Sequence, residues 1–259
     1  MAVILELDQG NTRCKWRLLD VGRGEGTSVV ARGVLSADFW QMNSVFPELW
    51  TASAVNRVRV ANVAGLNREK QMAARLSEDL GLTPEFARVT PRCYGVTCAY
   101  PEPGRLGVDR WLAVLAAHKR DLGPALVVDC GSAVTLDLLG EGGAHLGGYI
   151  VPGLSLMRRA LYRDTDAVKV DPSLVPGMTL SPGRDTAAAV NRGLSLMVLG
   201  TIEQAYEELR RVCPESAAPN IWMTGGDSAF FSTLPPLNSY LRHQVVDDLV
   251  MEGLALTNP

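Results

Sequence analysis

The sequence predicts an α/β protein of two domains with related topology and an interdomain cleft, and three observations lead there. One pattern occurs twice: the apolar run Val3-Ile4-Leu5-Glu6-Leu7 ends in Asp8-Gln9-Gly10-Asn11-Thr12, and Ala125-Leu126-Val127-Val128 ends in Asp129-Cys130-Gly131-Ser132-Ala133. Each reads as a buried strand running into an acidic, glycine-centred turn. Both turns are followed by a second strand-like stretch, 14–19 and 134–139, closed by glycine-rich turns at 22–24 and 140–143. Strand and helix periodicities then alternate through both halves, and 259 residues at 47% hydrophobic content suffice for two cores of ordinary domain size. The division is placed at 1–107 and 108–259.

Taken in order, residues 29–35 supply a third strand after the opening hairpin, and 38–49 a helix capped by Asp38. Arg57-Val58-Arg59-Val60-Ala61-Asn62-Val63 alternates as a strand, 67–80 is a helix stopped by Gly81, and 85–89 is a short strand. The Pro- and Gly-rich crossing at 91–107 is too long for a plain connector, a length at which loops are often functional. The second half opens with a helix over 108–122, punctuated by Gly123-Pro124. It then repeats the hairpin, closes a third strand at 147–153 and continues as a helix over 154–162. A polar, proline-containing stretch at 164–182 is expected to be mobile. A long amphipathic helix covers 185–211, and a strand at 220–223 runs into Thr224-Gly225-Gly226-Asp227 ahead of a helix. A last short strand lies at 244–246.

Composition narrows the function. A formal charge of −3 with no basic run argues against nucleic acid or a membrane surface as partner, and favours a small ligand. Glu6 and Asp8 interrupt the first apolar run, and no stretch reaches the ~20 apolar residues of a membrane span, so a cytoplasmic protein is expected. Cys14, Cys93, Cys98, Cys130 and Cys213 form no C-x-x-C pair, and His118, His145 and His243 are far apart in sequence. Structural zinc and a disulfide frame are therefore not expected.

An acid, a glycine and a hydroxyl at a strand-to-hairpin turn suit a phosphate: the acid can hold Mg²⁺, glycine admits the backbone, and amides and hydroxyl donate to phosphoryl oxygens. Read singly, Gly10 and Asn11 could as well only provide hairpin angles. Asp109, ahead of Trp111-Leu112-Ala113-Val114-Leu115, could be a helix cap or a base that accepts a hydroxyl proton. Arg110 beside it offers a guanidinium for a carboxylate. The Thr224 to Asp227 turn could bring backbone to a nucleotide or be a plain strand-to-helix turn.

Together these motifs resemble a known family. Asp8-Gln9-Gly10-Asn11-Thr12-Arg13-Cys14-Lys15 matches D-x-G-N-T-x-x-K, Gly107-Val108-Asp109-Arg110 matches G-x-D-R, and Asp129-Cys130-Gly131-Ser132-Ala133-Val134-Thr135 is similar to D-x-G-T-A-x-T. Gly147-Gly148, Pro152-Gly153 and Thr224-Gly225-Gly226-Asp227 follow in family order. The chain resembles the type III pantothenate kinases of the acetate kinase, sugar kinase, Hsp70 and actin superfamily. The resemblance implies two ribonuclease-H-like (actin-like ATPase) domains and ATP-dependent phosphorylation of pantothenate to 4′-phosphopantothenate, the first step of coenzyme A biosynthesis.

It further implies that Asp8 organises Mg²⁺ and that Gln9, Gly10, Asn11, Thr12, Arg13, Cys14 and Lys15, with Ser132 in place of the commoner threonine, bind ATP. Asp109 would be the catalytic proton acceptor, and Tyr100, Gly107, Val108, Asp109 and Arg110 would bind pantothenate. Asp129 would sit by a monovalent cation, K⁺ or NH₄⁺. A homodimer built on the long helix is implied as well, with Thr186 completing the pantothenate pocket of the neighbouring chain, so that the active site is shared between subunits. Two alternatives remain at this stage: another small-alcohol or carboxylate kinase, and a nucleotide-binding regulator that does not turn over.

Overall fold

The first apolar run forms strand β1 (Ala2–Gln9), which returns antiparallel as β2 (Arg13–Val21) and again as β3 (Thr27–Ser36). In this computed structural model residues 2–22, 26–41, 44–164 and 179–258 are described. Helices α1 (Glu48–Ala52) and α2 (Gly65–Leu80) flank β4 (Arg57–Asn62), which lies parallel to β1, and β5 (Glu85–Phe86) lies parallel to β4. The sheet order is β3-β2-β1-β4-β5. Leu5, Leu7, Trp16, Leu18, Trp50, Val58, Val60, Met72 and Leu76 form its core.

Glu6 and Arg59 interrupt the apolar strands at fully covered positions, and each explains the other. Arg17 donates through Nε to Glu6 Oε2 at 2.7 Å and Arg59 to Glu6 Oε1 at 3.2 Å, so one buried carboxylate joins three neighbouring strands. A buried charge is tolerated only when paired in this way.

The crossing contains strands β6 (Arg92–Cys93) and β7 (Val96–Thr97) and a 3-10 turn at Pro103–Arg105, and leads into α3 (Val108–Arg120). A second sheet then repeats the first. Strands β8 (Ala125–Cys130), β9 (Ala133–Leu139) and β10 (His145–Pro152) form an antiparallel meander. After α4 (Leu154–Asp164) and α5 (Thr186–Val212), β11 (Asn220–Thr224) joins parallel to β8. Helix α6 (Ser228–Ser232) precedes β12 (His243–Val245), parallel to β11, and α7 (Leu249–Thr257) follows. The order β10-β9-β8-β11-β12 is that of the first sheet, element for element. Leu126, Val128, Leu136, Leu199, Ile202, Ile221, Met223 and Phe231 belong to its core.

Several expectations need correction. The helix expected over 38–49 is a 3-10 turn at Phe39–Gln41 followed by the short α1. Pro47 sits ahead of α1 in an extended conformation and disfavours helical geometry at the residue before it, and Phe39, Trp40, Phe46 and Trp50 pack on one another instead of forming a helical stripe. The strand expected at 85–89 pairs only as Arg59↔Glu85 and Val60↔Phe86. Helix α7 was not anticipated. Much of the polar stretch expected to be mobile at 164–182 lies outside the described residues, as does most of the turn at 22–24.

The chain groups into two compact units, one of Met1–Tyr94, Glu102–Ala116 and Val250–Pro259, the other of Gly95–Pro101 and Ala117–Leu249. The C-terminus therefore returns to the first unit, a departure from a single division at 107/108. The reason is close packing of α7 on α3: a Cβ on Gly253 would lie 2.3 Å from the Leu112 carbonyl oxygen.

Candidate active site

Strand alternation sorts the first motif into two sets. Gln9 and Cys14 are directly opposite in the ladder and fully buried, while Asp8 and Lys15, the preceding pair, are partly exposed. Gln9 accepts from Trp40 Nε1 at 2.7 Å and donates to the Gly10 carbonyl at 2.6 Å, so its side chain braces the turn from within. Burial, reinforced by the Asp8 charge, pushes the Cys14 thiol far up. The Gly10 amide donates to the Arg13 carbonyl at 3.0 Å, and Asn11, Thr12 and Arg13 are exposed. A carboxylate beside an ammonium on the open face, with three donor-bearing residues at the tip, can take a metal-bound phosphate.

Asp109 lies in the first turn of α3, in the same unit as this motif. Its Oδ1 accepts from the Arg110 amide at 2.8 Å. A Cβ on Gly107 would come within 2.6 Å of that oxygen, so glycine there makes the room the carboxylate occupies. A helix N-terminus favours negative charge. Val108 and Arg110 are buried.

The second motif repeats the first with a tighter turn. The Gly131 amide donates to the Ala133 carbonyl at 3.1 Å, and Asp129 faces Thr135 across the ladder where Asp8 faces Lys15. The Thr224 to Asp227 turn is pressed against it: the Asp227 amide donates to the Cys130 carbonyl at 3.0 Å. A Cβ on Gly225, at φ +94°, would lie 2.4 Å from Asp129 Oδ1. Burial, with the charges of Asp129 and Asp227, pushes the Cys130 thiol far up. Ser132 lies in the turn and is exposed, and Tyr100 is partly exposed. Thr186 is exposed at the start of α5, whose cap is Asp185 Oδ1 accepting from the Ala188 amide at 2.8 Å.

Two cations escaped the sequence reading. Arg68 on α2 acts on both Cys14 and Asp38, and its Nη1 is buried without a hydrogen-bond partner. Arg158 on α4 donates to Asn191 Oδ1 at 2.8 Å and keeps a buried, unpartnered Nη2; burial pushes its guanidinium down against the pull of Asp227. Neither belongs to a motif, so only tertiary proximity reveals them.

A doubled five-stranded sheet of order 3-2-1-4-5, with an acidic glycine turn at the same hairpin in each copy, defines a protein of the actin-like ATPase fold. The profile of the family described as type III pantothenate kinase matches residues 4–208. A type III pantothenate kinase of Chromohalobacter salexigens is 39% identical over 259 residues, covering 99% of this chain and 88% of its own. One of Ectopseudomonas mendocina is 36% identical over 260 residues, with 99% of each chain covered. The chain belongs to the type III pantothenate kinase family. Among solved structures, a Campylobacter jejuni protein described as a Baf family transcriptional activator matches with a TM-score of 0.56 at 19% identity, over 97% of this chain and 95% of that one. A Sinorhizobium meliloti protein described as a 2-dehydro-3-deoxygalactonokinase gives 0.54 at 16% identity, over 98% and 97%. These two likenesses show a shared fold.

Proposed function

We propose that the chain transfers the γ-phosphoryl group of ATP to the 4′ hydroxyl of pantothenate, yielding 4′-phosphopantothenate and ADP, the first step of coenzyme A biosynthesis, with Asp109 accepting the hydroxyl proton. Family membership supports the reaction. The observation that carries the residue assignment is the Asp109 carboxylate, anchored through Oδ1 at a helix N-terminus in the unit that also holds Asp8 and Lys15. The bond from the bridging oxygen to the γ-phosphorus breaks as the alcohol oxygen attacks, and its proton passes to Asp109. Arg110 offers a planar guanidinium for the pantothenate carboxylate, and Tyr100 an aromatic wall.

Kinases of this kind use a divalent metal with ATP, and the donor set suits Mg²⁺: a hard carboxylate at Asp8 beside exposed turn residues meets an ion that takes few protein ligands and keeps phosphate oxygens and water. Bound there, it would neutralise charge on the phosphates. Asp129 is proposed as the oxygen ligand of K⁺ or NH₄⁺. We assign the chain to a homodimer through α5, whose Leu194, Leu199 and Ile202 are buried while Leu196 and Met197 are 50% and 59% exposed. Thr186 of the partner subunit would then complete the pantothenate site. The reaction is proposed to take place in the cytoplasm.

The test is direct. Purified protein with ATP, Mg²⁺, K⁺ and pantothenate should yield 4′-phosphopantothenate by mass spectrometry; no product from folded protein would overturn the activity.

A further inference from the structure

We infer that His145 is a positioning residue for pantothenate: locked in one tautomer by Asp137, it holds Tyr100 and the chain around it in place. This rests on the reading of Tyr100 as a wall of the pantothenate site. No motif contains His145 or links it to residue 100, 45 positions earlier in the chain.

The two side chains at the root of this arrangement are deeply covered. Asp137 on β9 is 1% exposed and His145 at the start of β10 is 4% exposed, and their Oδ1 and Nε2 are 2.9 Å apart. The other ring nitrogen, Nδ1, lies 3.4 Å from the Ala99 amide. An amide N–H can only donate, so Nδ1 accepts, and the ring proton sits on Nε2, donated to Asp137. The carboxylate thus fixes the tautomer that lets the ring receive residue 99. The Tyr100 ring is stacked on the His145 ring at 6.4 Å between centroids and 9° between planes.

The backbone is clipped to the same place. Thr97 and Ala144 form a parallel bridge, and Gly143 lies so close to Gly95 that a Cβ on it would stand 2.3 Å from the Gly95 carbonyl oxygen. Residues 95, 97, 99 and 100 are therefore held in turn by 143, 144 and 145. Burying an ionisable pair costs desolvation that an apolar pair would not, and an apolar residue at 145 could pack against Tyr100 but could not accept from the Ala99 amide. What the pair supplies is a fixed direction for a loop residue, the kind of support on which substrate positioning depends.

A double-mutant cycle on the full-length enzyme tests this. Tyr100→Leu should raise the pantothenate KM and leave that of ATP unchanged. His145→Phe keeps a ring and removes both hydrogen bonds. It should raise the pantothenate KM about tenfold, with kcat and the ATP KM within about twofold, because misplacement of positioning groups weakens the productive pose. His145→Asn, which can still accept from Ala99, should recover part of the loss. In the Tyr100→Leu background, His145→Phe should add little. Should His145→Phe not accumulate folded, His145→Phe with Asp137→Asn also removes the buried carboxylate charge and carries the same expectation. A purely structural role would lower thermal stability and active fraction without moving KM. An unchanged pantothenate KM in folded His145→Phe, or effects that add fully to Tyr100→Leu, overturns the inference while Tyr100 keeps its role. An unchanged KM in Tyr100→Leu removes the role of Tyr100 and this inference with it.

Discussion

Replacing Asp109 with asparagine separates a proton acceptor from a residue that only supports the first turn of α3; the cap expected at this position falls instead at Gly107, whose carbonyl accepts from the Trp111 amide at 3.1 Å. Asparagine keeps an Oδ1 where the aspartate oxygen accepts from the Arg110 amide at 2.8 Å, and it keeps the volume next to Gly107. Asp109 is the second residue of α3, inside the helix and past the cap position at Gly107; its bond to the Arg110 amide, worth about 1 kcal/mol, is therefore retained, and the melting temperature should stay within about 2 °C of wild type. What asparagine lacks is a basic oxygen. Loss of a general base lowers turnover by roughly 10² to 10⁴, equivalent to about 2.7 to 5.4 kcal/mol of barrier. Asp109→Ala provides the contrast: it loses both functions, so it should show the same turnover and in addition melt about 2–4 °C lower. The assay is product formation at saturating ATP and pantothenate, with ATP binding measured by calorimetry and unfolding by scanning calorimetry. Near-normal turnover in Asp109→Asn, together with a lowered melting temperature in Asp109→Ala, would assign Asp109 to support of the helix start and refute its role as acceptor.

Further outcomes follow from the same geometry. Asp8→Asn should impair use of Mg²⁺-ATP far more than pantothenate binding, because the carboxylate stands beside Lys15 at the phosphate turn; collapse of pantothenate affinity by calorimetry with ATP use intact would reverse the subsites. Activity should require K⁺ or NH₄⁺ and be poor in Na⁺, and equal rates in the three salts would remove Asp129 as a cation ligand. Because burial raises the thiols of Cys14 and Cys130, alkylation of native protein at pH 8 should spare both and reach the partly exposed Cys93, Cys98 and Cys213 first; mass spectrometry showing early Cys14 or Cys130 adducts would contradict the packing of both turns. Mixing inactive Asp109→Asn with inactive Thr186→Arg should restore part of the activity through a hybrid site, and no rescue after proven subunit exchange would sink the shared site.

The sequence made legible those parts of the fold whose causes are local. Strands β1, β2, β8 and β9 announce themselves because apolar runs end at glycine turns, and α5 because its helical period persists over 27 residues. The misread segment at 38–49 failed for an equally definite reason: Pro47, which no helix interior accommodates, lies inside it, and Phe39, Trp40, Phe46 and Trp50 pack on one another as an aromatic cluster. The two acidic glycine turns were visible because their residues are contiguous. Arg68, Arg158 and His145 were not, since each acquires its neighbours only when distant elements meet. Gln9 and Cys14 show the limit from the other side, because a motif names residues without saying which face of the strand they occupy.

The two sheets share strand order, yet their buried polar groups differ. Aligning Asp8 with Asp129 and Lys15 with Thr135 puts Glu6 at Val127, Arg17 at Asp137 and Arg59 at Trp222. The first unit thus spends its buried carboxylate on joining β1, β2 and β4 through two arginines, a purely internal bond. In the second unit the β1 and β4 positions are filled by Val127 and Trp222, and a carboxylate instead occupies the β2 position, where it turns outward along the sheet to His145. By the same alignment His145 stands where the first unit has Val29, which is 39% exposed at a sheet edge. A position that in one copy faces solvent has in the other been covered by residues 95–101 and given an ionisable pair to hold them. If the pair served the sheet alone, Asp137 and His145 could both become apolar with gain in stability and no kinetic consequence. That Asp137→Leu with His145→Leu should instead raise the pantothenate KM while melting no lower than wild type is the outcome that distinguishes a substrate support from a fold support.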